Sequence, residues 1–151
     1  MGNVNPIPQG FHSVTPYLIV SDASKLIDFI KQVFEAKEID RFETDNSIMH
    51  AIVQIGDSKI MISDSNENMK PMPCFLYVYV KNVDETYRKA IEAGGTSMRK
   101  PTDEFYGDRG ASILDFEGNN WYIATHVKDV SRDELKKLAE EQMKRMTKSL
   151  N

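Results

Sequence analysis

The chain has 151 residues, 40% hydrophobic and 28% charged, which suits a water-borne globular protein of one domain or two small halves sharing a core. Its net charge of -4 is uneven: residues 128–151 carry seven Lys/Arg against five Asp/Glu, and the first 127 residues hold twelve against eighteen. An acidic body without a cation track argues against nucleic acid, and no apolar run approaches the ~20 residues that span a bilayer, so neither is an expected partner. The start MGNVNPIPQGF lacks a basic-then-apolar leader layout, and a lone Cys74 makes neither an internal disulfide nor a zinc site, so a reducing cytoplasm is the expected location.

In chain order, a proline-containing arm leads into TPYLIV, a short strand, and Ser21 or Asp22 caps a helix running to about Glu35. Leu26, Ile30, Val33 and Phe34 share one stripe of that helix. IDRFE reads as a strand, and IMHAIVQI and SKIMIS read as a hairpin about a Gly56-Asp57 turn. The polar segment 64–74 (DSNENMKPMPC) is the expected linker. CFLYVYV is the next strand, Asn82 caps a helix with Glu85 three residues on, and Gly94-Gly95 ends it. ASILDF and NWYIATH close a second hairpin around Glu117-Gly118-Asn119-Asn120. Ser131 and Glu134 open a last helix whose stripe of Leu135, Leu138, Ala139, Met143, Met146 and Leu150 is expected to dock on its own body, or alternatively on a second subunit.

These elements repeat. Residues 16–36 lie over 75–93 with Val20 on Val80, and 50–63 lie over 112–125 with Gly56 on Gly118. The order is therefore β-α-β-β-β twice. Residues 1–130 read as one domain of two modules, 12–65 and 73–127, and residues 131–151 as an amphipathic C-terminal helix. The expected class is α+β, the tandem βαβββ modules making a cupped eight-stranded mixed sheet. Strand alternation then separates the faces. Leu76, Val78 and Val80 oppose Phe75, Tyr77 and Tyr79, and the tyrosine side suits a partly wet cavity, or else a dimer seam. On the longer strand Met49, Ala51, Val53 and Ile55 read as the packed face, with Ile48, His50, Ile52 and Gln54 toward the cavity.

The paired modules resemble the vicinal oxygen chelate superfamily, which includes glyoxalases, bleomycin-resistance proteins and extradiol dioxygenases. PYLIVSDASKLIDFIKQVFEA, IMHAIVQIGDSKIMISD, LYVYVKNVDETYRKAIEAG and FYGDRGASILDFEGNNWYIATH are more narrowly similar to its PhnB-like branch, over roughly residues 12–130. The resemblance implies a cupped sheet around a pocket, commonly completed in a homodimer. It also implies metal ligands at four places, which map here onto Thr15, Ile60, Phe75 and Tyr122. None is an imidazole or carboxylate, and a one-residue slip gives only Met61, Pro16 or Ile123. The standard metal centre is thus expected to be absent, and no cofactor is expected.

Three histidines remain as candidate bases or ligands. His50 lies on the assigned cavity face beside Gln54, His126 ends the last strand, and His12 sits in the arm without an assigned role. In Glu104-Phe105-Tyr106-Gly107-Asp108-Arg109-Gly110, two glycines bracket an Asp-Arg pair that either grips an anionic ligand or ties down a neighbouring strand. Trp121, Phe105 and Tyr106 are candidate pocket aromatics, and Tyr122 joins the candidate set. The candidate ligand-binding set is therefore His50, Gln54, Tyr77, Tyr79, Tyr106, Asp108, Arg109, Trp121, Tyr122 and His126, with no catalytic residue assigned. The expected activity is binding of a small organic molecule in an aromatic-lined cup. The alternative is a divalent-metal lyase, isomerase or dioxygenase-type enzyme.

Overall fold

The computed structural model describes residues 2–150. The elements are β1 (Tyr17–Val20), α1 (Ala23–Phe34), β2 (Lys37–Thr44), β3 (Ser47–Ile55), β4 (Ser58–Asp64), β5 (Phe75–Tyr79), α2 (Val83–Glu92), β6 (Thr96–Asp103), β7 (Asp108–Leu114), β8 (Asn120–His126) and α3 (Arg132–Ser149). The eight strands form two four-stranded mixed sheets, β1-β4-β3-β2 and β5-β8-β7-β6, each with one parallel pair at the β1 or β5 edge. This is the α+β tandem that the repeat predicts.

Local chemistry explains the helices. Asp22 caps α1 by accepting the Lys25 N–H, and Ala23, Leu26, Ile27, Ile30 and Val33 recur at helical spacing as its buried stripe. Asn82 caps α2 in the same way through Glu85, with Asp84 and Glu85 favourably placed at its positive end. A second tie repeats in both modules. The Ala23 N–H donates to Asp64 Oδ1 at 2.7 Å, and the Val83 N–H donates to Thr125 Oγ1 at 2.9 Å. Each helix start is thus pinned to the end of the central strand of its own module.

Strand registers refine the internal alignment. Tyr17 faces Met61 and Tyr77 faces Tyr122, so the counterpart of Tyr122 is Met61, one residue from the Ile60 that sequence comparison assigns. Likewise Ile52 opposes Met61 and Ser112 opposes Tyr122, which makes His50 the counterpart of Gly110. The difference arises because the chain from Ser112 to its partner Tyr122 is one residue longer than the chain from Ile52 to its partner Met61.

A bulge corrects the face assignment on β3. His50 pairs with Phe42 but Ile48 pairs with Glu43, leaving Met49 as the extra residue. Below the bulge the alternation flips: Ile48 enters the core at 3% exposure, and Met49 is half exposed. From His50 to Gln54 the expected alternation holds, with Ala51 and Val53 fully buried.

One apolar cluster joins the inner faces of both sheets and both helices, and the Phe34 and Trp121 rings meet across the module boundary at 5.2 Å. Polar ties reinforce that boundary. Glu117, in the β7–β8 turn, accepts the Ser21 and Asp22 N–H groups at 3.0 and 2.8 Å, and Lys89 bonds Glu35 at 2.8 Å. The linker is held at both ends. The Met72 N–H donates to the Ile19 carbonyl, while Asn119 Oδ1 accepts the Cys74 N–H. Asp115 organises that corner: its buried carboxylate accepts the Glu117 and Asn119 N–H groups, Asn119 Nδ2 and Trp121 Nε1.

Helix α3 departs from the expectation that it docks on its own body. None of its residues is buried; Leu135, Leu138 and Ala139 are partly covered, and Met143 and Met146 are exposed. No helix among the described residues is long and apolar enough to cross a membrane.

Asp115→Asn turns an acceptor toward donors and leaves buried groups unpaired, so a loss of about 2–3 kcal/mol is expected in urea denaturation. Glu117→Gln keeps one acceptor at a surface turn and should cost less than about 1 kcal/mol. An Asp115→Asn midpoint equal to the parent's would disprove this account of the corner.

Candidate functional site

The face of the second sheet turned away from the core carries an aromatic row. Phe75, Tyr77 and Tyr79 alternate along β5, with Leu76 and Val78 packed on the other side, and Tyr122 joins them from β8. Ring centroids lie 6.4 Å apart for Phe75–Tyr122, 4.7 Å for Tyr122–Tyr77 and 5.1 Å for Tyr77–Tyr79. The first two pairs are stacked and the third is tilted, so the row is continuous. Gly110 makes room for it: a Cβ there would collide with the Tyr122 ring.

Asp108, at the start of β7, anchors the far end. It is 3% exposed, yet every lone pair that matters is used. Tyr77 and Tyr79 hydroxyls donate to Oδ2 at 2.9 and 3.0 Å, and His126 Nδ1 bonds Oδ1 at 2.8 Å. Burial pushes the Asp108 carboxyl up, but the His126 imidazolium and the two phenols outweigh it and hold the group below the usual carboxylate range. His126 is raised above the ordinary imidazole value by Asp129, whose Oδ1 meets Nε2 at 2.8 Å, and by Asp108. Tyr77 is pushed up by burial and its bond to Asp108, and Tyr79 chiefly by that bond. The phenols therefore stay protonated.

A second polar chain fixes the other end. The Tyr122 hydroxyl donates to Glu104 Oε1 at 3.1 Å, lies 3.3 Å from the Tyr106 hydroxyl, and Arg99 pairs with Glu104 at 2.7 Å. Burial and these neighbours raise Tyr122 too. Gly107 seats the loop against the chain after β8. Its carbonyl accepts the Val127 and Lys128 N–H groups, at a φ of 99° that favours glycine.

The candidates separate in space. Tyr77, Tyr79, Asp108 and His126 form one hydrogen-bonded group, Tyr106 and Tyr122 belong to a second, and the stacked Tyr77 and Tyr122 rings join the two. Arg109 does not join it. As the next residue on β7 it points to the opposite face and holds Asp84 with two nitrogens, at 2.8 and 2.9 Å, and Asp103 at 3.0 Å. Of the two readings of the Asp-Arg pair, the strand tie describes Arg109. Trp121 also lies elsewhere, 1% exposed in the core with its Nε1 on Asp115. His50 stacks on Tyr17 on the open face of the first sheet, and Gln54 bonds its own hairpin turn at the Gly56 carbonyl. Sequence reasoning gave Glu104 no role of its own within its loop and missed Arg99 and Asp129, which contribute through partners distant in sequence or through a turn.

The metal positions implied by family resemblance can be tested against this geometry. Ile60 is buried in the core, its neighbour Met61 takes the face position, Phe75 carries no donor, and the Tyr122 hydroxyl is already bonded. Among the described residues no three or more His, Cys, Asp or Glu side chains converge on a point that could hold an ion. The donor set does not fit the metal centre that the resemblance implies.

Two βαβββ modules sharing a core, with one open face built of stacked phenols on a buried carboxylate, define a paired-module fold of the glyoxalase type. The family model "Glyoxalase/Bleomycin resistance protein/Dioxygenase superfamily" matches residues 10–123, and the chain belongs to that superfamily. Among curated relatives it is 29% identical over 135 residues to the uncharacterised Rv0887c of Mycobacterium tuberculosis, covering 82% of this chain and 79% of that one. Solved structures share the fold. TioX from Micromonospora sp. ML1 has a TM-score of 0.67 at 22% identity, over 77% of this chain and 99% of that one. A PhnB protein from Bacillus cereus has a TM-score of 0.60 at 17% identity, over 76% and 99%.

The two shifts have opposite consequences for stability. A raised His126 contributes stability that is complete below the ordinary imidazole value of 6.5 and is lost as pH rises through the folded value. A lowered Asp108 contributes stability present above the ordinary 3.8 and lost as pH falls through its folded value. In an NMR titration of the His126 ring, the midpoint should lie above 6.5 and should drop in Asp108→Asn. An unmoved midpoint would show that Asp129 alone holds the proton.

Proposed function

We propose that this protein binds a small planar organic molecule on the Phe75–Tyr122–Tyr77–Tyr79 face, without a resident metal, and that a second copy of the chain completes the cup. The observation that carries the reading is the continuous aromatic row, whose hydroxyls are tied down from behind while its ring surfaces remain open to solvent. Phe75 is 62% exposed and Tyr79 64%, a large apolar area to leave against water unless something covers it. Rings held in fixed rotamers lose little freedom on stacking, so flat ligands are favoured over flexible ones. The same reasoning supports the dimer: Phe42, Met49 and Met98 are also half or more exposed.

The metal-dependent alternative needs imidazole or carboxylate donors aimed at one point, and the four family positions do not supply them. A sequestering role asks nothing of those positions. It needs shape and stacking, both of which the second module offers.

Thermal-shift screening of planar aromatic compounds should reveal stabilisers, while zinc, nickel, manganese and iron(II) should leave the melting temperature unchanged. Tyr77→Leu should weaken the best ligand about tenfold, the equivalent of one good aromatic contact. Sedimentation should give a dimer. Stoichiometric metal uptake with turnover would overturn the reading in favour of the enzyme.

A further inference from the structure

We propose that Asp129 occupies the place of a ligand's carboxylate, and that the crevice beside His126 binds a planar aromatic carboxylic acid by displacing it. The proposal rests on the aromatic-face reading and adds the chemical class of ligand that face takes.

His126 has a carboxylate on each ring nitrogen, at 2.8 Å in both cases, but the two differ in kind. Asp108 is embedded in the sheet and bound to two phenols, so it cannot leave without breaking them. It fixes the ring and its Nδ1 proton, as a buried carboxylate orients an imidazole elsewhere in proteins. Asp129 lies past the end of β8, three residues on, with its side chain fully open to water. A surface pair of that sort contributes little. The result is a positioned imidazolium whose outer N–H is covered by a removable anion.

The surroundings suit an acid. His126 and Tyr79 border a crevice of about 890 Å³ between the modules, within the range of small-molecule sites. Lys37 and Lys81 line it too, and among the described residues neither has a carboxylate partner within 4.0 Å. The acids of that crevice are otherwise engaged: Glu35 and Glu85 hold Lys89, and Asp57 accepts the Ser58 hydroxyl. Tyr79 connects the two halves of the site. It ends the aromatic row, shares Asp108 with His126 and lines the same crevice, so a ring stacked on it sits in the crevice that His126 borders. A neutral ligand gains the stacking but cannot replace the charge that Asp129 supplies.

The test compares 2-naphthoate with its neutral isostere 2-naphthamide on the full chain by calorimetry at about pH 6.5, the ordinary imidazole value. Naphthoate should bind about tenfold more tightly, the difference a charged hydrogen bond confers. Asp129→Ala should tighten naphthoate about two- to fivefold by removing the internal competitor and leave naphthamide unchanged. His126→Gln should abolish the preference while naphthamide still binds. Equal affinities, or weaker naphthoate binding in Asp129→Ala, would refute the acid site and leave the aromatic face standing. Failure of both compounds to bind would refute the aromatic face as well.

Discussion

A carboxylate enclosed in a β-sheet must be compensated, and the way Asp108 is compensated shapes the rest of this surface. Withdrawn from water, an unpaired carboxylate would take up a proton. Here two phenols and an imidazole prevent that, and each in return is fixed by its bond. Tyr77 and Tyr79 therefore stand as a defined pair with both hydroxyls drawn to one oxygen. Tyr122 continues the row because Gly110 leaves it room and Glu104 holds its hydroxyl. The placement of Tyr77 and Tyr79 is thus a consequence of a buried charge, and their exposed ring faces are set from beneath.

The two modules show which parts of the scaffold are generic. Asp64 and Thr125 do the same work at the starts of α1 and α2, with different chemistry at matched positions. The buried stripes match as well. The open faces do not. The first sheet has Tyr17 stacked on His50, where the second has Tyr77 beside Gly110, and Met61 stands where the second has Tyr122. Each position could change without loss of the fold because its side chain points away from the shared core.

What could be read from the sequence follows the same division. The helices were legible because Asp22, Asn82 and Ser131 cap them locally, and β5 because Phe75, Tyr77 and Tyr79 alternate strictly with aliphatic neighbours. The edge strand β6 was not located, since it is largely polar and contains Pro101, features tolerated only at an edge. The flip between Ile48 and Met49 was hidden because a bulge depends on the partner strand. Within the site, alternation could separate Asp108 from Arg109 in principle, but their adjacency in a glycine-bracketed loop suggested a joint role. Trp121 was drawn to the cavity by its neighbours in sequence and to the core by Asp115.

The positions at which relatives are expected to hold a cation carry side chains of another chemistry here, and the substitution is coherent across the face. A metal site needs several basic donors converging on one point and free of other partners. This face has hydroxyls that are neutral, raised in pKa and already donating to carboxylates. Recruiting any one of them would require breaking the bond that places it. What the face leaves open is ring surface, and the outer nitrogen of its imidazole meets the exposed carboxylate of Asp129; such groups favour dispersion and charge-assisted hydrogen bonding over Lewis-acid chemistry. The shared fold fixes where this open face lies, and the buried carboxylate fixes how its phenols and imidazole are held.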